Sequence, residues 1–500
     1  MSTMSRWIEY RSGQGRHVTM AQSPATSSEL KSVVKREAAA HPRLRWVVLV
    51  GDAGSGEFQT PTHIVEAKVN VHFGSEPEIA TDNPTADLDG DGVPDVAIGR
   101  LPADSPEDLS RMIEKIIRYE RPTLGAWKRQ VNFVAGVGGF GFVDAIIETV
   151  TKRFLTDGIP PEFCTTMTYG SWKSVYCPSP PSFHAATVER LNEGSLFWVY
   201  IGHGHRYQLD RIRVPGAHHH ILDIRDMDKL AARNGASIAI MLACYTGAFD
   251  SPRDCIAEEM VRAEGGPVAA LAGSRVTMPY AMSVLGNGLL EEYFVNKRET
   301  LGELFLHAKR GLAADADSAG AGPLAKNRQL LDMLARAVSP KPELVAAERM
   351  EHISLFNLIG DPLLQVRQPN ALRLAAPPEH RAGDKLTLSG ECDSPGQLRV
   401  ELVCARDQQR FKSPSRGPYV ESKLAMREFD RTYVLANDCQ WTFGEQQHKG
   451  GKFELNLDVP RECRGQCFLR VFVDGERHAM GATPIFIKAA PRPVTASLAD

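Results

Sequence analysis

The sequence predicts an α/β domain built on a mostly parallel β-sheet flanked by helices, followed by a smaller β-sandwich. Short apolar runs end in glycine or turn residues, which is typical of buried parallel strands. Segments with helical apolar spacing alternate with these runs, as expected for strands joined by right-handed crossovers. After Pro369, short β-rich segments separated by turn residues are typical of a sandwich.

The elements of the first domain, residues 1–369, can be assigned in order. No helical or strand periodicity is clear before Gly13, and residues 17–20 form at most a short strand. Because no strong strand precedes the first helix, one interpretation is that the sequence begins inside a strand–helix unit. Ser105 as cap and Pro106 as first helical residue mark one helix start. Apolar runs predict strands at residues 46–50, 96–98, 131–135, 165–169, 196–201, 236–243 and 267–272. Helices are predicted at residues 30–39, 143–155, 185–191, 255–263, 282–295, 301–314 and 327–337.

The second domain is predicted to comprise residues 370–488. Its residues alternate or are β-rich in short segments, and few clusters of reactive side chains occur among them. Strands are predicted at residues 372–374, 385–389, 398–404, 433–436, 453–459, 467–473 and 482–487. Residues 489–500 are expected to form a disordered tail.

Composition narrows the classes of function. The chain has 500 residues, of which 43% are hydrophobic and 24% charged, as in an ordinary globular protein. The net charge of −3 argues against nucleic acid or an anionic membrane as partner, because both call for a basic surface. No apolar run approaches the length of a membrane span. The first residues lack the apolar core of a signal peptide, which read literally indicates a cytosolic protein, although a start assigned too far downstream would look the same.

The cysteines point in two directions. There are nine, an odd number, so at least one has no disulfide partner within the chain. Five follow Asn370, and this clustering favours disulfides and an oxidising compartment, with isolated buried thiols as an almost equal alternative. No pair of Cys-x-x-Cys motifs occurs, so a structural zinc site is not expected.

Two of the predicted strands end in reactive residues. The run at 196–201 is followed by Gly202, His203 and Gly204, and the run at 236–243 is followed by Cys244. In open α/β sheets, ligands bind just beyond the carboxyl ends of the strands. One strand therefore delivers an imidazole and another a thiol to the same edge, which is the combination used in nucleophilic acyl transfer.

Each of these residues has a blander interpretation when it is considered alone. A histidine at a buried strand end is more often a satisfied core residue, and most buried cysteines are inert. The glycines beside His203 favour a functional role, because they allow close approach and leave the Gly204 amide free for a ligand. The small and polar residues after Cys244 would leave its thiol exposed, where an imidazole assists ionisation.

An acidic loop lies between residues 87 and 95. Asp87, Asp89 and Asp91 occupy alternate positions, with glycines that permit a tight turn. Together with Asp95 they offer up to four side-chain ligands for a structural Ca²⁺ ion. The loop lacks the bidentate glutamate of an EF-hand, because Ile98 stands at that position. An acidic turn whose aspartates cap their own backbone is an equal alternative. A calcium-binding repeat array is disfavoured, because the loop occurs once.

A glycine-rich turn follows the predicted strand at 131–135. Gly136, Gly138 and Gly141 formally match G-x-G-x-x-G, which cradles phosphate at a helix N-terminus. The dinucleotide fingerprint also needs an acid at the end of the next strand, and the nearest one, Glu162, precedes that strand. Glycines also serve simple tight turns, so we expect no organic cofactor.

Several separated blocks resemble the gingipain family of caspase-like cysteine peptidases. Gly202-His203-Gly204 and Ala243-Cys244 are similar to the His-Gly and Ala-Cys pair that closes two strands in the caspase-like peptidases. The order and spacing of further blocks narrow the resemblance to gingipains: residues 49–52, 82–83 with the acidic loop, 95–102, 244–249 and 357–362. The resemblance covers residues 7–366 and implies a caspase-like sheet followed by an immunoglobulin-like β-sandwich.

The resemblance implies a cysteine endopeptidase that acts on a protein or peptide substrate. Cys244 would attack the scissile carbonyl as a thiolate, and His203 would protonate the leaving amine and then act as base for deacylation. The amides of Gly204 and Cys244 would form the oxyanion hole. Asp144 would orient the histidine, and its alternative is an ordinary carboxylate at a helix N-terminus. An extracellular or cell-surface location is also implied.

Other histidines and acids have less certain places. His205 would face the same side as His203 on a continuing strand, and we expect it to be a pocket or surface residue. His218, His219 and His220 are expected to form a loop, because three adjacent residues on regular structure cannot all face one ion. A preference for basic substrates would need an acid in the pocket, and the sequence does not rank the candidates Asp157, Glu162, Asp210 and Asp250.

The competing hypothesis is a catalytically silent protein that keeps the peptidase fold for binding or adhesion. The intact pair of Cys244 and His203 favours the enzyme. The sequence carries no signal for the oligomeric state.

Overall fold

The computed structural model describes residues 2–53, 58–121, 124–137, 158–232, 234–314, 323–338 and 341–490. The α-helices are α1 Ser2–Gly13, α2 Ser27–Ala40, α3 Asn83–Ala86, α4 Pro106–Glu120, α5 Phe183–Asn192, α6 Ile256–Arg262, α7 Pro279–Phe294, α8 Leu301–Ala313, α9 Pro323–Val338, α10 Val345–Leu355 and α11 Lys423–Asn437. Short 3₁₀-helices span Asn70–Phe73, Ala126–Arg129, Pro180–Ser182, Ile224–Lys229 and Pro342–Leu344.

The strands of the first domain are β1 Trp46–Val50, β2 His63–Glu66, β3 Glu78–Thr81, β4 Ala97–Leu101, β5 Gln130–Ala135, β6 Cys164–Tyr169, β7 Phe197–Ile201, β8 Arg211–Val214, β9 Ala217–His220, β10 Ile238–Leu242, β11 Ala269–Gly273 and β12 Phe356–Ile359. Those that follow are β13 Asn370–Ala371, β14 Arg373–Ala375, β15 Glu379–Arg381, β16 Lys385–Cys392, β17 Gly396–Cys404, β18 Gln440–His448, β19 Gly451–Asp458, β20 Gly465–Asp474 and β21 Ala479–Lys488.

Helix starts follow local sequence signals. At α4, the Ser105 hydroxyl accepts a hydrogen bond from the Asp108 amide at 3.1 Å, and Pro106 occupies the first turn, as predicted. At α2, Thr26 and Glu29 form a reciprocal capping box. These caps satisfy amide donors that the first helical turn would otherwise leave without partners.

Helix α1 is absent from the sequence prediction. Its buried face includes Trp7 and the fully buried Arg11, so no continuous apolar stripe marks it. The Arg11 guanidinium donates to Glu120 at 2.9 Å and to Asp361 at 2.6 Å, and these ion pairs compensate for burying the charge. Residues 17–20, expected at most as a short strand, have no regular structure.

An eight-stranded sheet forms the core of the first domain. Its strand order is β1-β4-β12-β11-β10-β7-β5-β6. The pairs β1–β4, β5–β6, β5–β7, β7–β10 and β10–β11 are parallel, whereas β12 runs antiparallel to β11. Every residue of β7, β10 and β11 is buried, as expected for central strands covered on both faces. The mostly parallel α/β architecture is therefore confirmed. Among the helices described, none has the length and apolar character needed to cross a membrane.

Two further sheets form the C-terminal part of the chain. One has the order β13-β21-β20-β17-β18 with β15 beside β21, and the other has the order β14-β16-β19. They enclose a separate apolar core, to which β19 contributes Phe453, Leu455 and Leu457 at alternate positions. Because β12 ends at Ile359 and β13 begins at Asn370, we keep the division after residue 369 as a proposal. The immunoglobulin-like topology also stays a prediction. Of the predicted tail, residues 491–500 lie outside the described residues.

One predicted strand of this region is wrong. Residues 433–436 belong to α11, which Ser422 caps by accepting from the Ala425 amide. The buried residues Phe429, Thr432 and Tyr433 have the i, i+3, i+4 spacing of a helix. A four-residue window was too short to reveal this period.

Helix α11 covers the edge of the large sheet. Asn437 accepts from the Met167 amide at 2.7 Å and donates to the Met167 carbonyl at 3.0 Å, so it completes the pairing of edge strand β6. The Arg129 guanidinium, just before β5, makes two hydrogen bonds of 2.9 and 3.0 Å to Glu401 on β17. The two parts of the chain are thus joined through buried polar contacts.

Candidate active site

The register of two parallel strands brings His203 and Cys244 to the same level. Ile201 at the end of β7 pairs with Leu242 at the end of β10. Each candidate follows its member of this pair by two residues, so both leave the sheet at its carboxyl edge, side by side. The sequence prediction of a shared edge is therefore borne out for this pair.

Gly204 shows how closely the two loops approach. A Cβ at Gly204 would lie 2.5 Å from the Cys244 carbonyl oxygen and 2.6 Å from Thr246 Cγ2. Only glycine allows this contact between the histidine loop and the cysteine loop. Gly202 is also constrained, because it has φ +158° and its Cβ would lie 2.9 Å from the Tyr200 hydroxyl.

The thiol of Cys244 is half-buried and faces the segment after β11. Its Sγ accepts from the Thr277 amide at 3.3 Å and lies 3.6 Å from the Thr277 hydroxyl. Donors in these positions would stabilise a thiolate. Thr277 was not among the predicted site residues, since it lies 33 positions after the cysteine and no local pattern connects the two.

Tyr245, directly after the cysteine, has a left-handed backbone with φ 57°. Such a conformation costs a non-glycine residue about 1–3 kcal/mol and needs support from its surroundings. The Tyr245 hydroxyl donates to Glu76 at 2.6 Å, and the Arg206 guanidinium lies over its ring at 4.7 Å. Burial and Glu76 raise the pKa of Tyr245 to about 12, so the hydroxyl remains a donor. These contacts hold the turn that presents the thiol.

The backbone of the histidine loop is held by two donors. The His203 carbonyl accepts from the Tyr200 hydroxyl at 2.7 Å and from the Asp210 amide at 3.2 Å. The amides of Gly204 and Cys244 donate no hydrogen bond to any described residue. His205 is exposed, in agreement with a surface role. Asp144, expected to orient the histidine, lies outside the described residues.

The structure separates the candidate specificity acids. Asp250 forms a bidentate ion pair with Arg275 at 2.6 and 2.8 Å, so its charge is already matched. Glu162 precedes β6 and therefore lies at the amino end of the parallel strands, opposite the catalytic edge. Asp210 stays at the catalytic edge, and its Oδ2 is buried without a hydrogen-bond partner among the described residues. Asp157 lies outside them.

The glycine-rich turn after β5 serves the sheet where it is described. The Gly136 amide donates to the Ile201 carbonyl at 2.9 Å, which extends the β5–β7 pairing. A Cβ on Gly136 would lie 3.2 Å from the Tyr200 hydroxyl, so a close approach explains this glycine. Gly138, Gly141 and the predicted helix at 143–155 lie outside the described residues.

The acidic loop has the features of both of its interpretations. Asp87, Asp89 and Asp95 each present an oxygen within 4.8 Å of the others, as one cation would require, whereas Asp91 is not in this group. The aspartates also accept backbone amides within the loop, as Asp87 does from Gly90 at 2.7 Å.

A second carboxylate cluster was missed by the sequence analysis. Asp52 after β1, Asp254, and Glu258 on α6 present oxygens within 4.8 Å of one another. Burial, with the charges of Asp52 and Asp254, raises the pKa of Glu258 to about 8. Its Oε1 is buried and has no partner in the described part of the chain. A hard cation with oxygen ligands fits this set, although Arg262 also pairs with Asp254.

All nine cysteines are free thiols in the structure, so the expected disulfides are not formed. The nearest approach described is between Cys463 and Cys467, whose Sγ atoms lie 3.9 Å apart.

Comparison with known proteins agrees with the gingipain resemblance. Residues 1–367 match peptidase family C25. Gingipain R2 from Porphyromonas gingivalis is 26% identical over 288 residues, which are 55% of this chain and 34% of that protein. Lys-gingipain HG66 from the same organism is 22% identical over 279 residues, which are 54% of this chain and 14% of that protein. The chain thus spans about a third or less of the length of these curated relatives.

Solved structures agree on the fold. The complex of the pro- and mature domains of RgpB from Porphyromonas gingivalis has a TM-score of 0.52 at 16% identity, over 97% of this chain and 97% of that one. A second solved protease has a TM-score of 0.52 at 14% identity, over 97% of this chain and 94% of that one. At such identities the likeness concerns the fold alone. The family match, however, covers most of the sequence, and the chain therefore belongs to peptidase family C25.

Proposed function

We propose that this chain is a cysteine endopeptidase in which Cys244 is the nucleophile and His203 the general acid and base. The observation that carries the proposal is the β7–β10 register, which places both residues two positions beyond the paired Ile201 and Leu242. The contact between Gly204 and the Cys244 carbonyl supports the same juxtaposition. Membership of peptidase family C25 agrees with this chemistry.

The site supplies each part of an acyl transfer from the chain's own residues. The Cys244 thiolate attacks the scissile carbonyl, forming the C–S bond, and the Gly204 and Cys244 amides stabilise the oxyanion. His203 protonates the leaving amine as the C–N bond breaks. It then takes a proton from the water that hydrolyses the thioester, which regenerates the thiol. The Thr277 amide, 3.3 Å from Sγ, positions the sulfur before the attack.

The experiment compares Cys244→Ala, His203→Ala and the control His205→Ala on a peptide library, with mass-spectrometric detection of cleavage. Either catalytic substitution should lower kcat/KM by at least about 10³-fold. The control should retain activity, because His205 is exposed. An acyloxymethyl ketone should label wild type and not Cys244→Ala. If wild type neither cleaves nor labels, with Ca²⁺ present and after trial proteolytic activation, the protein is a silent peptidase fold.

A preference for basic residues before the scissile bond is the proposal for specificity. Asp210 lies beside the histidine loop, and its Oδ1 accepts from the Arg211 amide at 2.7 Å while Oδ2 has no described partner. A cationic substrate side chain that reached Oδ2 would gain a charge-assisted hydrogen bond. Asp210→Asn should lower kcat/KM by about 30-fold or more for peptides with Arg or Lys at this position. An equal loss for neutral peptides would contradict this role.

Calcium binding is proposed for the carboxylate clusters. The set Asp52, Asp254 and Glu258 is the stronger candidate, because Glu258 Oε1 is buried and unpartnered among the described residues. The loop cluster of Asp87, Asp89 and Asp95 is the second. Ca²⁺ should raise the melting temperature of wild type, and Glu258→Gln should lose more of this shift than Asp89→Asn. An unchanged melting temperature at millimolar Ca²⁺ would exclude both sites.

A further inference from the structure

A cluster of two histidines and an aspartate lies outside the catalytic site. His184 is in the first turn of α5, His220 ends β9, and Asp226 is in the 3₁₀-helix Ile224–Lys229. His184 Nε2 lies 3.3 Å from Asp226 Oδ1, and His220 Nε2 lies 3.6 Å from Asp226 Oδ2. The two imidazole rings are 4.1 Å apart between centroids. Three separate elements thus direct nitrogen and oxygen donors to one point.

One histidine of the run at residues 218–220 belongs to this cluster, although the run was expected to form a loop without a metal site. Residues 218–220, expected as a loop, belong to β9, which pairs with β8 in an antiparallel hairpin. Alternation along the strand puts His219 on the opposite face from His220. The objection to three adjacent ligands is therefore correct, but one histidine of the run suffices when α5 supplies the second.

Hydrogen bonds to neighbouring backbone groups orient the donor side chains His184 and Asp226. His184 Nδ1 lies 3.0 Å from the Ile221 carbonyl, which can only accept, so Nδ1 carries a proton and Nε2 is the nitrogen directed at Asp226. Asp226 Oδ2 accepts from the Asp223 amide at 2.9 Å, which fixes the carboxylate, and its side chain is only 3% exposed.

An ammonium group already lies where a cation would be attracted. Lys229 Nζ donates to Asp226 Oδ1 at 2.8 Å and lies 3.3 Å from His184 Nε2. The Lys229 side chain is half-exposed, so it can leave toward solvent without breaking any packed contact of the core. It is therefore a competitor for the position, and not a permanent part of it.

We propose that His184, His220 and Asp226 bind a divalent transition-metal ion of the Zn²⁺ type, with at least one coordination position open to water. Two ligand atoms at zinc distances in a tetrahedron are about 3.4 Å apart. The separations of 3.3 and 3.6 Å between each imidazole nitrogen and the carboxylate are close to this value, and all three donor atoms lie within 4.8 Å of one another. The imidazole donors distinguish the site from the all-carboxylate clusters, which suit calcium.

The ion would cross-link elements that support the histidine loop. The Leu209 amide donates to the Leu222 carbonyl, and the Ile221 amide donates to the Asp210 carbonyl, so the segment directly after His220 is bonded to the segment that follows His203. Metal bound at His220 would therefore stabilise the β8–β9 hairpin at its base. The expected role is structural, because the ion would hold α5, the β8–β9 hairpin and the 3₁₀-helix Ile224–Lys229 together beside the segment that follows His203.

The test titrates the metal-stripped full-length protein with Zn²⁺ in competition with a chromophoric chelator, and with Co²⁺ to record its visible absorption. Wild type should bind one ion that His220→Ala binds about 100-fold more weakly. His218→Ala is the matched control, since His218 is exposed on the same strand and is outside the cluster, and it should bind like wild type. The difference between these variants isolates this site from the thiols and the carboxylates.

A variant that is expected to bind Zn²⁺ more tightly distinguishes loss of a ligand from misfolding. Lys229→Met removes the competing ammonium and should bind Zn²⁺ more tightly than wild type, which a folding defect would not produce. The Co²⁺ spectrum should lack the intense near-ultraviolet charge-transfer band of thiolate ligation. Equal affinity of wild type and His220→Ala, or weaker binding by Lys229→Met, would overturn the proposal.

Discussion

Replacing Gly204 by alanine tests the placement of the two catalytic loops. The new Cβ would lie 2.5 Å from the Cys244 carbonyl oxygen, and ordinary van der Waals contact begins at 3.4 Å. One of the two backbones must therefore move by about 0.9 Å, the difference between these distances. The φ of Gly204 lies outside the left-handed region, so alanine is not disfavoured by the backbone conformation itself. The substitution isolates the steric contact.

The expected effect falls on catalysis more than on folding. Overpacking of this kind costs about 1–3 kcal/mol of stability. A displacement of about 1 Å between nucleophile and general acid lowers the rate by about 10²-fold. The assay is kcat/KM on a peptide substrate, measured well below the melting temperature of the variant, together with the free energy of unfolding in urea.

The control is Gly311→Ala on α8, where a Cβ meets nothing within 4 Å. Alanine at this helical position should leave activity unchanged and stabilise the fold by about 0.5–1 kcal/mol. A Gly204→Ala enzyme with kcat/KM within about threefold of wild type would refute the close approach of the loops.

Three further predictions concern charge and reactivity. Glu401→Gln should destabilise the protein by about 3–5 kcal/mol in urea unfolding, because it leaves buried guanidinium groups such as Arg129 without a matching charge. Folding raises the pKa of Glu258 from 4.5 to about 8, so without Ca²⁺ the folded state binds a proton that the unfolded state has lost. The free energy of unfolding should therefore fall as pH rises from 4.5 to 8. Glu258→Gln should remove this dependence of stability on pH. Iodoacetamide near neutral pH should modify the half-buried Cys244 before Cys177, since burial raises the pKa of Cys177 to about 12, and peptide mapping would reveal the reverse order if the thiol placement is wrong.

The sequence predicted the fold where one physical signal dominates. The runs that became β7, β10 and β11 are apolar throughout, since both faces of a central parallel strand are buried, and this pattern has few other causes. Prediction failed where burial is achieved by charge pairing or over a short window. Helix α1 buries Arg11 against Glu120 and Asp361, and α11 was read from too few residues to show its helical period.

The candidate site divides in the same way. His203 and Cys244 were identified from strand ends and glycine neighbours, which are local features of the chain. Thr277 beside the thiol could not be found in this way, because its contact with Cys244 depends on β11 lying next to β10. The sequence likewise did not rank the candidate specificity acids. In the structure Asp250 is paired with Arg275, whereas Asp210 Oδ2 has no hydrogen-bond partner among the described residues.

Local features of the sequence predicted the reactive residues, the parallel sheet that presents them and the family that the chain resembles. These are properties of short segments, because the periodicity of apolar side chains and the ends of strands depend on a few consecutive residues. Which distant groups meet became visible in the folded chain: Glu258 with Asp52, and His184 with His220 and Asp226. The reason is that a charge or a ligand set depends on distance in space, and strand order and loop path set that distance independently of separation along the chain.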